Sequence, residues 1–308
     1  MDEKRILYAD SEKLIRKLDS QGLIMADREA VKLALDTYGY SNLIKSYRDP
    51  FIFTTQEGKK YRNNASYEQI FSLYVFDKML RNAVMSSMLD LEEYIKMTIA
   101  EIIAKDFGTD PENYLAFKNY RNRNKKVERF RLSNLLRSMR ECLKITVPPI
   151  SHYQTKYGCV PPWILFKSIY FSTMVNFIDC FKKEQLDQLI AKLYPDLPAD
   201  QINLKMLLLD TLFMCNEYRN VAAHGGRIYN YKPKSKIRYV EIFNDDRMYI
   251  SDGISSLLYS LDRISYDKPF VILKTTLDAE INRHCTAFPQ DNIYIGEAMS
   301  IDIIATDT

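Results

Sequence analysis

The chain has 308 residues, of which 43 are basic and 40 acidic, and its formal net charge of +3 excludes a general affinity for polyanions that rests on total charge. Apolar residues make up 46% of the chain while glycine (9) and proline (11) are scarce, a balance that predicts a mostly α fold with long helices. The five cysteines form no Cys-x-x-Cys pair, which argues against a disulfide framework and against a zinc knuckle.

Residues 1–60 are predicted to form an N-terminal helical subdomain, in which Ser11 and Asp27 cap two short helices. The turn between these helices is longer than a helix-turn-helix motif usually allows, so DNA is not an expected partner. The charged N-terminus lacks an apolar signal segment, and no stretch approaches the ~18 apolar residues of a membrane span. We therefore expect a cytoplasmic protein without a membrane partner.

A long helix is the clearest prediction of the sequence. After a polar stretch at 54–65 that is predicted to be a loop, Ser66 and Gln69 have the spacing of a capping box, in which each side chain bonds the other residue's backbone N–H. Apolar residues then recur at three- and four-residue steps to Phe107, and Gly108 is placed to end the helix. This pattern predicts a helix of roughly forty residues, or ~60 Å.

Residues 61–230 are predicted to form a helical core, and residues 231–308 an α+β extension. Further helices in the core are expected to begin at four places, namely Asp110-Pro111, Pro161-Pro162, Glu184 and Asp200. In the extension, alternating apolar residues predict a β-hairpin over 236–253. A helix at Ile254–Ile264, a strand at Phe270–Leu273 and a weakly ordered tail are expected to follow.

Basic residues are clustered between Lys118 and Arg140, where nine basic side chains accompany a single acidic one, Glu128. Two aromatic residues, Tyr120 and Phe130, lie within the cluster. A solvated helix face explains such a charge run as well as a binding site does, because charge runs are common on protein surfaces.

A second polar cluster stands at the end of the helix that begins at Asp200. Arg219, Asn220 and His224 are followed directly by Gly225-Gly226, which are expected to end the helix. Five helical steps place Arg219 and His224 about 140° apart, so either the arginine curls round or the last turn loosens, whereas Asn220 lies on the histidine's face.

An imidazole beside a guanidinium suits transfer at a phosphate diester. The imidazole takes a proton from a ribose 2′-hydroxyl or gives one to the departing 5′-oxygen, and the guanidinium holds the phosphate. No metal is required, and RNA cleaved in this way carries 2′,3′-cyclic phosphate and 5′-hydroxyl ends. The competing interpretation is structural: His224 interacts with the helix dipole, and the stem of Arg219 covers apolar surface.

The segment RNVAAHGGRIYN, together with the hydrophobic helix before it, resembles the signature of the Abi-like family, the AbiD/AbiF group of bacterial abortive-infection proteins within the HEPN ribonuclease superfamily. Four further segments carry the resemblance, which spans most of residues 10–232: SEKLIRKLDSQGLIMADREAVKLAL, YRDPFI, FDKMLRNAVMSSMLDLEEYIKMTIAEIIAKDFG and PPWILFKSIYFSTMVNF. The resemblance implies a HEPN-like helical bundle for the core at 61–230. It also implies an endoribonuclease that acts in phage defence, or as a toxin controlled by a structured noncoding RNA.

The resemblance implies that Arg219 and His224 are the catalytic pair and that Asn220 supports them, while Arg227 and Asn230 match the continuation of the motif. HEPN nucleases usually act as dimers in which two such motifs converge on one cleft, so a homodimer is expected. RNA is then the expected partner of the basic cluster, with Tyr120 or Phe130 available for base stacking. The candidate RNA-binding residues are Lys118, Arg121, Arg123, Lys125, Lys126, Arg129, Arg131 and Arg227.

Two other classes of protein stay open. One is a non-catalytic RNA-binding or ribonucleoprotein scaffold protein, and the other is an interaction protein with no RNA role. His152 and His284 have no cysteine or carboxylate at ligand spacing and no Gly-rich phosphate loop is present, so neither a metal nor another cofactor is expected. Glu92 and Glu93 are predicted to face solvent, with the orientation of His224 from a neighbouring helix as their alternative role.

Overall fold

The computed structural model describes residues 8–56, 58–198, 200–238 and 253–303. The fold of this part of the chain is mostly α, as predicted. Its helices are α1 (Ser11–Ser20), α2 (Arg28–Tyr38), α3 (Tyr67–Phe107), α4 (Pro111–Tyr114), α5 (Leu132–Cys142), α6 (Ile150–Tyr157), α7 (Pro162–Leu165), α8 (Phe171–Ile178), α9 (Lys183–Leu193), α10 (Gln201–Ala223), α11 (Ile254–Asp262), α12 (Lys268–Ala287) and α13 (Asn292–Met299). One antiparallel hairpin joins β1 (Ile52–Thr55) to β2 (Gly58–Tyr61), with Ile52 opposite Tyr61.

The described residues group into two compact units. The first unit combines the residues up to Leu80 with Leu277–Glu297 and the residues from Asp302 onwards. The second unit combines Arg81–Thr276 with Ala298–Ile301. Both units therefore contain segments that are distant in the sequence. The predicted hairpin at 236–253 lies almost wholly outside the described residues.

The first unit corrects two predictions made for the N-terminal subdomain. Asp10, and not Ser11, caps α1, because its carboxylate accepts a hydrogen bond from Lys13 N at 2.8 Å. The stretch predicted as a loop contains most of the β1–β2 hairpin, since two β-branched threonines precede the turn and Gly58 adopts a φ of +118° on its far side. The predicted cap of α2 is confirmed, with Asp27 accepting from Ala30 N at 3.0 Å.

A buried polar network joins α3 to α12 and to the turn before α13. His284 is fully buried, with its Nδ1 2.9 Å from Ser72 Oγ and its Nε2 2.9 Å from Asp291 Oδ2. The order Ser, His, Asp resembles a hydrolase triad. However, the histidine has no exposed surface, and the Ser72 hydroxyl accepts a hydrogen bond from Arg283, so the network is structural. His284 is therefore a buried histidine whose two ring nitrogens are both hydrogen-bonded.

The same network replaces one of the two hydrogen bonds of the predicted capping box. Ser66 Oγ accepts from Gln69 N at 3.2 Å, as expected, but the Gln69 amide donates to Asp291 Oδ1 at 2.6 Å instead of returning to Ser66. A charged acceptor attracts the amide more strongly than a backbone group can. The other limits of α3 are confirmed, since the helix ends at Phe107 and Gly108 has a φ of +81°.

The predictions for the C-terminal segments are partly wrong. The strand predicted at Phe270–Leu273 lies within α12, where Leu273, Leu277 and His284 are buried at helical spacing. The tail was predicted to be weakly ordered, but its described part, up to residue 303, contains the C-terminal part of α12 and the whole of α13. The helix predicted at Ile254–Ile264 is confirmed as α11, two residues shorter.

Helix α10 is the central helix of the second unit and packs against α8, α9 and α11. Asp200 caps it, as predicted, by accepting from Ile202 N and Asn203 N at 2.9 Å each. Leucines are buried on several sides of this helix, which is expected for a helix surrounded by others. None of the described helices combines the length and the apolar character needed to cross a membrane.

Candidate active site

The C-terminus of α10 is regular up to its last residue. His224 N donates to Asn220 O at 3.1 Å, Gly225 N to Ala222 O at 3.1 Å, and Gly226 N to Val221 O at 2.8 Å. The last two bonds, with a φ of +71° at Gly225, form a Schellman motif. The last turn therefore does not loosen. Arg219 and His224 leave the helix about 140° apart and ~7.5 Å apart along its axis.

The three motif residues differ in exposure. His224 is exposed at the C-cap of α10, whereas Arg219 and Asn220 are half-buried. Arg219 Nε is buried, and neither a hydrogen bond nor a salt bridge to any described residue satisfies it. A buried N–H without a partner costs free energy, which a hydrogen bond from this nitrogen to an anionic group would recover.

Both glycines after His224 are needed for the shape of this turn. Gly225 adopts the left-handed conformation, which costs glycine little because it has no Cβ. At Gly226 an added Cβ would lie 2.7 Å from Val221 Cγ1, which is too close for any side chain. The chain thus turns sharply and presents His224 to solvent.

Arg81 holds the turn from outside the motif. Its Nη1 lies 3.2 Å from Gly225 O and 3.4 Å from Gly226 O, so a cation on α3 bonds the free carbonyls beyond the helix end. Sequence analysis missed this residue, since it is separated from the motif by more than 140 positions.

Glu217 closes the loop that follows the motif. Its carboxylate accepts hydrogen bonds from Tyr231 Oη (3.0 Å), Lys234 N (2.7 Å), Ser235 N (2.9 Å) and Ser235 Oγ (2.5 Å). We call Ile228–Arg238 the return segment, because it runs back along α10. At its far end Arg238 binds Asp210, with 2.7 Å between Nη2 and Oδ1.

The bonds to Glu217 predict a pH-dependent contribution to stability. Burial alone would raise the pKa of Glu217, but the hydrogen bonds from Ser235, Lys234 and Tyr231 outweigh it and lower the pKa below the ordinary 4.5. The stabilisation of the fold by these hydrogen bonds is therefore fully present above about pH 4.5, and it is lost as the pH falls through the lowered pKa of Glu217. We expect Glu217→Gln to reduce the free energy of unfolding at pH 7, and the difference from the wild type to shrink in acid.

Urea unfolding followed by the fluorescence of Trp163, the one tryptophan of the chain and a residue of the second unit, measures this difference. Glu93→Gln, a change at an exposed glutamate on α3, is the control. It should leave the free energy of unfolding unchanged both at pH 7 and in acid. An equal deficit for Glu217→Gln at pH 7 and at pH 3 would contradict the assignment.

The basic cluster is mostly irregular. The interpretation of the cluster as a solvated helix face is therefore wrong for its first part. Two short 3-10 turns, Phe117–Asn119 and Glu128–Phe130, interrupt it, and regular helix begins only at Leu132. Lys118, Arg121, Lys126, Arg129 and Arg131 are exposed, as expected of RNA-binding side chains.

The remaining candidates in this set have other contacts. Arg123 and Lys125 both form salt bridges with the buried carboxylate of Asp179, at 3.4 Å for Arg123. Arg227 is half-buried. Burial, followed by the nearby charges of Arg123 and Arg121, lowers the pKa of Lys205 on α10, so this lysine extends the basic cluster beyond the positions found from sequence.

Only one of the two predicted stacking residues is accessible. Tyr120 is 4% exposed and its hydroxyl donates to Tyr114 O, which excludes it as a platform for a base. Phe130 is half-buried at the surface, with the Arg129 guanidinium 4.6 Å from its ring centroid. Phe130 therefore remains the stacking candidate.

Of the two adjacent glutamates on α3 that were predicted to face solvent, only one does. Glu92 does not face solvent: its side chain is 12% exposed and its Oε1 lies 2.6 Å from Lys96 Nζ. Glu93 is exposed, as predicted. Within the described ranges, no three His, Cys, Asp or Glu side chains come together in a way that could hold a metal ion.

Comparison with known protein families gives a match over well over half of the chain. A family model described as Abi-like protein matches residues 33–230, which include α3, the basic cluster and the whole of α10 with its motif. No curated protein and no solved structure matches the chain. Because the family model covers well over half of the sequence, the chain belongs to the Abi-like protein family.

Proposed function

We propose that this protein is a metal-independent endoribonuclease of the HEPN type that acts in phage defence. Membership of the Abi-like family suggests a part in abortive infection. The observation that carries the nuclease assignment is the exposed His224 at the end of α10, five residues after an arginine whose buried Nε has no described partner.

The proposed reaction needs only the chain's own side chains. His224 takes the proton of a ribose 2′-hydroxyl, whose oxygen attacks the adjacent phosphorus, and the bond to the 5′-oxygen breaks as that oxygen receives the proton from the resulting imidazolium. Arg219 holds the non-bridging oxygens and stabilises the charge that builds on them. Asn220, four residues before His224 and on the same face of α10, orients the imidazole or the ribose.

The helical geometry supports a site shared by two copies. Within one chain Arg219 and His224 leave α10 on different sides, about 140° apart. A homodimer that pairs the ends of α10 brings the arginine of one copy towards the histidine of the other. The exposed part of the basic cluster then serves to bind RNA, either the substrate or a structured noncoding RNA that controls the toxin.

Cleavage of labelled RNA by the purified protein tests the proposal. We expect cleavage to persist in EDTA and to leave 2′,3′-cyclic phosphate and 5′-hydroxyl ends, because the internal hydroxyl is the nucleophile. End analysis with polynucleotide kinase, which phosphorylates only free 5′-hydroxyls, reads the products. Cleavage that requires Mg²⁺, or that leaves 3′-hydroxyl ends, contradicts the mechanism.

The second candidate is an RNA-binding scaffold, which the exposed cations of the basic cluster favour. In that case Arg219 and His224 hold RNA without cutting it. A cleavage assay in the presence and absence of any RNA that copurifies separates the two candidates. Stable binding without cleavage under both conditions supports the scaffold.

A further inference from the structure

An open groove lies between the end of the basic cluster and the start of α8, within the second unit. Its volume is about 590 Å³, which falls in the range of roughly 300–1,000 Å³ typical of small-ligand sites. The lining residues that matter here are Arg129, Phe130, Arg137, Tyr170, Ser172 and Thr173. No residue of α10 lines this groove, so it is formed without the Arg219–His224 motif.

Two flat surfaces in the groove suit a nucleobase. Tyr170 is 79% exposed, an unusual position for so large a ring next to a concave surface. The guanidinium of Arg129 lies over the ring of Phe130, and such a plane also accepts a stacked base. Aromatic and arginine planes are the common platforms for unpaired bases in RNA-binding proteins.

The same groove offers donors for a phosphate. Arg137 is exposed and forms no salt bridge with a described residue. Ser172 and Thr173 contribute hydroxyls in the first turn of α8, and the Tyr170 side chain at the N-cap bonds none of the first backbone N–H groups. Two carboxylates, Glu128 and Glu141, also line the groove, and Glu141 forms a surface salt bridge with Lys144 at 2.9 Å.

We propose that this groove binds one nucleotide of a single-stranded RNA, with its base on Tyr170 and its phosphate on Arg137 and Arg129. The proposal rests on the proposed function, which it deepens by naming an RNA subsite separate from the catalytic motif. A single strand is required because a paired base is stacked within its own duplex and exposes no face to a protein ring.

Fluorescence anisotropy with a labelled single-stranded RNA of about 12 nucleotides tests the groove, in a His224→Ala chain that does not cut the probe. We expect Tyr170→Ala to weaken binding about tenfold, and Tyr170→Phe to leave it nearly unchanged because the ring is retained. Arg137→Gln should weaken binding and make its salt dependence less steep, by about 0.7 in the logarithmic slope. A fully paired duplex of the same sequence should bind more weakly than the single strand.

Tyr8→Ala is the matched control, since Tyr8 is 90% exposed and belongs to the first unit. It should bind like its parent. Circular dichroism checks that every variant folds, which is expected because the replaced side chains are exposed. The proposal that the groove binds RNA is overturned if Tyr170→Ala and Arg137→Gln both keep the affinity of the parent for the RNA. It is also overturned if the His224→Ala parent does not bind the RNA.

Failure of the proposed function has a different signature. Cleavage is measured in parallel with chains that keep His224. If His224→Ala still cleaves RNA while the groove variants lose RNA binding, the proposed nuclease mechanism is wrong and the proposed RNA subsite is supported. If cleavage depends on His224 and the groove variants bind RNA normally, the proposed RNA subsite is wrong and the proposed nuclease mechanism is supported.

Discussion

Replacing His224 with alanine is expected to lower RNA cleavage by about 10²–10⁴-fold and to abolish growth arrest, because a general acid or base contributes an effect of that size. The fold should be unaffected, since His224 is exposed and neither hydrogen bond of the Schellman motif involves its side chain. His152→Ala removes another exposed histidine, on α6, and should retain full activity. Cleavage that persists in His224→Ala, or that is lost equally in His152→Ala, would count against the assignment.

Arg219→Ala is expected to lower cleavage by about 10²–10³-fold through the loss of charge stabilisation. The two inactive variants together test the shared site. In a mixture of Arg219→Ala and His224→Ala chains, a heterodimer carries one intact pair if each site takes its arginine and histidine from different copies. Partial recovery of cleavage on mixing is therefore expected, whereas a site formed within one chain gives no recovery.

The largest expected effect on stability lies in the first unit, at Asp291. This residue is 2% exposed and accepts hydrogen bonds from His284 Nε2 at 2.9 Å and Gln69 Nε2 at 2.6 Å. Asp291→Ala leaves two buried donors unsatisfied at a cost of about 1–3 kcal/mol each, so we expect a loss of about 4 kcal/mol from the stability of this unit. Asp291→Asn keeps one acceptor oxygen and should be less damaging.

Hydrogen exchange measured by mass spectrometry shows where in the chain Asp291→Ala lowers stability. A method that resolves segments is needed because a chain with two units need not unfold in one step. Amides in α13 and in the part of α12 after Leu277 should exchange faster in Asp291→Ala. Asp36→Ala, a change at an exposed aspartate on α2 of the same unit, is the control and should leave exchange unchanged. Faster exchange spread evenly over both units would contradict a local role for Asp291.

Local signals in the sequence predicted the two long helices α3 and α10. The limits of α3 and α10 were predicted because apolar spacing, an N-cap and a terminal glycine act within a few residues of each other. The strand predicted at Phe270–Leu273 failed for a related reason. A four-residue apolar run has no unambiguous period, and its burial in α12 depends on contacts made by the whole helix.

The exposed motif was also visible in the sequence, but its supporting contacts were not. Tyr120 was predicted to be available for base stacking, but the fold buries it. Arg123 and Lys125 were candidate RNA-binding residues, but both form salt bridges with Asp179. The Arg81 contact with Gly225 and the bonds of Glu217 to the return segment join positions that share no sequence pattern.

By itself, the sequence determined the mostly α fold, the limits of α3 and α10, the family and the Arg219–Asn220–His224 motif, since all of these are recorded in residue type and spacing along one segment. The tertiary structure alone decided which charges are compensated, which aromatic rings reach solvent and where a groove opens. The physical reason is that burial and ion pairing depend on distances in space between residues far apart in the chain, and those distances exist only once the helices have packed.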